Sequence, residues 1–122
     1  MSILIVSGCT QVTSTTISIE KSLPKKVEKI LRENSIDKEN SIKLFYNGND
    51  TYYIVYETNK RIDQTPLPGD TINGEAIINI IEGEEQDKIS RYIFKLKSDI
   101  KYTTINLKLN GIPASFDVVI QY

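Results

Sequence analysis

The chain has one cysteine, Cys9, and no histidine among its 122 residues. Without an imidazole the thiol lacks the usual base that would make it a catalytic nucleophile. Without a second cysteine it cannot close an intrachain disulfide. Its immediate setting is unusual: Val6, Ser7 and Gly8 precede it, one aliphatic residue and then two small ones. Elsewhere the hydroxyls are plentiful, but none lies in a nucleophile-elbow pattern. There is no glycine-rich phosphate loop. Sixteen acidic residues leave a carboxylate-only hydrolase as a formal alternative. The expectation is a protein that is not an enzyme and carries no cofactor.

The quartet Val6-Ser7-Gly8-Cys9 resembles the lipobox of bacterial lipoproteins. The resemblance implies cleavage between Gly8 and Cys9 and attachment of a diacylglycerol to the Cys9 sulfur. It also implies residence on the extracytoplasmic face of a cell membrane of the Gram-positive type. One acyl chain alone would anchor only marginally; the diacylglycerol of that family supplies two. A secretory signal carries a basic start and an apolar run of about 7–15 residues. Here the apolar run is Ile3 to Val6 with no Lys or Arg before it. Met1 is therefore expected to be an internal methionine of a longer leader whose start lies upstream. Thr10 to Thr16 is uncharged and rich in Thr and Ser, as a tether behind a lipid anchor would be. The expected division is a leader end at 1–8, a lipid-anchored tether at 9–16 and one β-rich extracytoplasmic domain at 17–122. The competing reading makes Ile3–Val6 the first strand of a soluble domain and Cys9 a buried thiol.

Three further groupings carry possible chemistry. Phe45, Tyr46, Tyr52, Tyr53 and Tyr56 are half of the chain's ten aromatics. Tyrosines suit recognition because they bury area with few rotatable bonds and keep a polar tip. Tyr46, Tyr52, Tyr53 and Tyr56 are thus the candidate binding surface, against the alternative that cross-strand aromatic pairs merely stabilise a hairpin. Lys21, Lys25, Lys26, Lys29 and Arg32 form a basic stretch that could lean on anionic lipid. The plainer reading is a solvated helix face whose charge Glu20, Glu28 and Glu33 dilute. Glu82, Glu84, Glu85 and Asp87 surround Gly83; their spacing does not match an EF-hand loop, and a solvated loop is expected, with no metal.

The elements that must position these residues follow from spacing. Val12 to Glu20 alternates imperfectly and reads as a first strand or an extended tether. Leu23, Val27, Ile30 and Leu31 recur at helical spacing behind Pro24, which suits a first turn, and predict a helix over 24–34. Ile42–Tyr46 and Thr51–Glu57 flank Asn47-Gly48, the strongest short hairpin signal. Thr65 to Asp70 holds two prolines and reads as a stiff loop. Strands are expected at Glu75–Ile81, Ile89–Leu96 and Thr104–Leu109, with Glu82–Asp87 a polar connection. Asn110-Gly111 should turn the chain into a return strand over Ser115–Tyr122, which lies at a sheet edge if it is the last. The fold class is α+β, mainly β: an antiparallel sheet or sandwich of six to seven short strands with one N-terminal helix.

At 39% hydrophobic and 25% charged residues the composition is that of an ordinary globular domain. A net charge of -1 argues against nucleic acid as partner. The layout of tether, helix and small β-rich remainder also resembles small lipoproteins encoded on conjugative and phage-like elements of Bacillus relatives. Some of these act in exclusion, contacting incoming mating machinery and blocking redundant transfer. That resemblance implies a protein partner and carries no binding residue across. Two other functions fit the same residues. One is a soluble or secreted inhibitor using Thr65–Asp70 as its plug. The other is an accessory domain of an envelope complex that pairs a sheet edge with a partner strand.

Overall fold

A computed structural model of the chain describes residues 15–34, 40–68, 75–98 and 104–122. The expected leader and Cys9 lie outside them. Nine strands and one helix are described: β1 (Thr15–Glu20), α1 (Lys25–Glu33), β2 (Ser41–Tyr46), β3 (Thr51–Lys60), β4 (Leu67–Pro68), β5 (Glu75–Ile80), β6 (Glu85–Ser98), β7 (Thr104–Leu109), β8 (Ile112–Ala114) and β9 (Val118–Gln121). They form a five-stranded sheet in the order β1-β6-β3-β2-β9 and a four-stranded sheet in the order β4-β5-β7-β8. The class is α+β and mainly β, with one helix, as the spacing predicts.

Alternation explains the layering. In the central strands successive side chains point to opposite faces, and both faces here are apolar. Ile42, Leu44, Tyr52, Ile54, Tyr56, Phe94 and Leu96 face the second sheet and meet Ala76, Ile78, Ile80 and Leu107 from it. Phe45, Tyr53, Val55 and Ile93 face the other way and take Leu23, Val27 and Leu31 of the helix segment. The five-stranded sheet is thus the middle layer of three. Lys43 breaks the pattern: it is buried on the helix side, in register with Val55.

The hairpin β2–β3 forms at the expected turn. Gly48 has φ 78, a left-handed conformation that glycine adopts without steric cost. The second Asn-Gly also turns the chain, with Asn110 at φ 54 and Gly111 at φ 80, as a hairpin with two central left-handed residues requires.

Five expectations need correction. The strand count is nine, above the six or seven expected. Thr15 and Thr16, assigned to the tether, belong to β1 and pair with Ser98 and Lys97. Within the supposed stiff loop 65–70, Leu67 and Pro68 form a short edge strand on Asn79 and Ile78; proline is tolerated there because an edge has one unpaired side. Glu85 to Asp87 are not a connection but the start of β6. They join it through the Lys60↔Glu85 pairing across a bulge and a 3.0 Å ion pair between those two side chains. Finally, the return strand after Asn110-Gly111 is β8, whereas β9 leaves for the other sheet and runs parallel to β2. The pairing of β5 with β7 is parallel too, so the sheets are mostly, not wholly, antiparallel.

Candidate functional site

The four candidate tyrosines do not share a surface. Tyr46 and Tyr52 are cross-strand partners whose rings stack at 6.1 Å. Both belong with Tyr56 to the inter-sheet core, whereas Tyr53 lies on the helix side. Tyr52, Tyr53 and Tyr56 are 5%, 7% and 3% exposed. The hairpin-stabilising role therefore replaces the recognition role for these three, because side chains this covered cannot present a contact area.

Tyr56 has a specific polar partner. Its hydroxyl donates to the Glu82 carboxylate. Burial, reinforced by that bond, pushes the phenol up to about 12, so it stays a neutral donor. The Glu82 backbone N–H donates to Asn110 Oδ1 at 2.7 Å, and the Gly111 N–H donates to Asn79 Oδ1 at 2.8 Å. The Arg61 backbone N–H donates to the Glu84 carbonyl at 2.9 Å. The acidic segment 82–87 is thereby divided: Glu82 serves the core, Glu85 pairs with Lys60, and Asp87 is exposed. Among the described residues no three potential ligands gather in a way that would hold a metal ion.

Gly8 and Cys9, the expected cleavage and lipidation residues, lie outside the described residues. Their distance from the fold is bounded by the chain itself. From Cys9 to Thr15 there are six residues, spanning at most about 20 Å when fully extended.

Two exposed features stand out once the tyrosines are set aside. The first is the margin made by β8 and β9, each the edge of its own sheet and joined by only Ser115–Asp117. Ile112, 68% exposed, and Val119, 56% exposed, lie on it. Phe116 packs inward between them against the inter-sheet core. Asp117 fixes the corner, its carboxylate accepting from the Ile42 N–H at 2.8 Å while its own N–H donates to the Ile42 carbonyl. The edge position of the last strand was expected and β9 has it; the β8 edge was not, although Pro113 was a usable signal, since a proline inside a strand marks an edge. The second feature is the outer surface of α1, where Lys25, Lys29 and Arg32 are all exposed.

A depression of about 240 Å³ lies on the outer face of the second sheet, against Ile77, Asn106, Lys108 and Pro113. It is smaller than the roughly 300–1,000 Å³ usual for a small-molecule site. Among the described residues no helix is long and apolar enough to cross a membrane. No protein-family model, curated protein or solved structure matches the chain.

Proposed function

We propose that the chain is a membrane-anchored surface lipoprotein that works by binding another protein, with exclusion of redundant conjugative transfer as the specific role. The observation that carries this reading is Val6-Ser7-Gly8-Cys9, placed six residues ahead of the first strand. A lipid on Cys9 would hold the domain on the membrane surface through an uncharged tether. The protein partner is supported more weakly, by the layout and by the two exposed apolar side chains on the β8–β9 margin.

The test is the intact mass of the protein recovered from membranes of its native host, beside a Cys9→Ala variant. A native form that starts at Cys9 with added lipid mass, and a variant released or left uncleaved, supports the reading. A soluble protein that retains the residues before Cys9 and a free thiol overturns it. A second role, as an accessory domain that pairs a sheet edge with a partner strand, draws support from the edge position of β9. Val119→Lys would blunt that edge; unchanged assembly of the variant in the same membranes would exclude it.

A further inference from the structure

The helix sorts its charges in a way that the linear sequence hides. Val27 and Leu31 are its buried pair. On the opposite side Lys25, Lys29 and Arg32 follow at i, i+4 and i+7, which aligns them on one face, and all three are exposed. Glu33, also exposed, follows Lys29 at i+4 and borders the crest at its C-terminal end, while the exposed Lys21 extends the basic run ahead of it, so the solvent face of the helix keeps a basic surplus. Glu28, which should dilute the charge, lies on a flank and binds Arg91 at 3.2 Å. Arg91 also lies 3.6 Å from Glu57. Glu20 accepts the Ser18 hydroxyl at 2.9 Å. On the other flank Lys26 stands over the Tyr122 ring, and Glu33 is one helical repeat further along that side.

The basic character continues beyond the helix. Lys95 and Lys97 alternate with Phe94 and Leu96, which face the second sheet, so both lysines lie on the helix side. Lys95 stands over Tyr53, itself on that side. Glu75, Glu84, Glu85 and Asp87 are carried by the second sheet, the loop after β5 and the start of β6. Charges of both signs occur on each side, with Glu57 beside Arg91 on the helix side and Lys60 beside Glu85 away from it, so the basic surplus is local to the crest and the strand face next to it.

We propose that the crest Lys25–Lys29–Arg32, with Lys21, docks on anionic lipid headgroups and holds the domain flat against the membrane. This rests on the lipoprotein reading, which supplies the membrane. A tether of about 20 Å at full stretch is shorter than a domain of this size is wide, about 30 Å. The domain thus remains beside the headgroups, where each basic side chain is attracted by surface potential. A flat array of phosphates suits the crest better than a nucleic acid does. The crest spans only about 10 Å and sets no aromatic or amide side chain among its charges for reading bases.

The test uses the full chain with Cys9→Ser, so that no lipid can contribute. It measures binding to phosphatidylcholine vesicles with and without phosphatidylglycerol. Binding should require the anionic lipid and weaken as added salt screens it. Each charge removed should cost about fivefold, so K25Q/K29Q/R32Q together should lose on the order of a hundredfold with an unchanged circular dichroism spectrum. The same substitutions at Lys60, Lys88 and Lys108 should have little effect. The proposal is overturned by no binding to the anionic vesicles, by equal binding to neutral ones, by an unaffected triple variant, or by tighter binding to a short RNA. The intact mass of the native protein reports separately on the anchor, so failure of one reading does not mimic failure of the other.

Discussion

Tyr56 is where the inter-sheet core meets water, and its ionisation couples the fold to pH. The phenol is raised from 10.0 to about 12, first by burial and then by its bond to Glu82. A group that holds its proton more tightly when folded stabilises the fold below its unfolded value, and that contribution disappears as pH climbs through the folded one. The contribution of Tyr56 should therefore be constant up to about 10 and be lost between there and about 12. Tyr122 is raised as well, by burial, so it contributes in the same direction. Tyr56→Phe should lose about 1.5–3 kcal/mol at neutral pH, the value of a hydrogen bond to a charged acceptor. It should also show a shallower alkaline decline without abolishing it. Urea unfolding at stepped pH reads both effects. An alkaline decline as steep in the variant as in the native chain would show that Tyr56 is not responsible.

At the scale of elements, α1 separates packing from charge most clearly. Leu31 and Val27 are buried against Phe45, Tyr53 and Val55, while Lys29 points to solvent. Leu31→Ala should cost about 2–5 kcal/mol, since it removes buried methyl groups and leaves a cavity. Lys29→Ala should change stability by less than about 0.5 kcal/mol. Chemical denaturation of the pair checks this, and equal effects would mean that the helix docks on a different face. The helix was legible because its apolar residues keep one period over nine residues, and the first hairpin because Asn47-Gly48 requires its turn. The 14-residue length of β6 was not legible. Its first third is polar and exposed, and it holds its strand geometry through Lys60 on a neighbour far away in sequence. Alternation sorts Tyr52, Ile54 and Tyr56 to one face and Tyr53 and Val55 to the other, as the two cores bear out, but it does not assign either face to a layer. A strand buried on both faces shows no alternation of apolar and polar residues, so nothing in residues 52–56 marks which side chains meet the second sheet and which meet the helix. The crest was half legible: its lysines were evident, but Glu20, Glu28 and Glu33 dilute them on paper, and the ion pair to Arg91 engages only Glu28.

For the whole molecule, the middle sheet makes the three layers interdependent. Tyr52, Ile54 and Tyr56 fill one core while Tyr53 and Val55, between them on the same strand, fill the other. Neither core can open without moving β3, which pairs with both β2 and β6. A helix docked on a sheet with one wet face could detach by itself; here the strand beneath it also carries the inter-sheet core. The chain should accordingly unfold in one cooperative step, as most single domains of this size do. Far-ultraviolet circular dichroism should report strand loss and tyrosine fluorescence core loss, with the same midpoint in urea. Ile78→Ala in the second sheet and Leu31→Ala in the helix should each shift that common midpoint without splitting it, since both side chains are buried on opposite sides of the same sheet. Their effects should add to within about 0.5 kcal/mol, because the two sites share no partner. A separate early transition in Leu31→Ala, seen by circular dichroism while tyrosine fluorescence stays native, would instead make the helix an independently detachable layer. The basic crest would then be carried on a mobile element rather than on the rigid face that membrane docking requires.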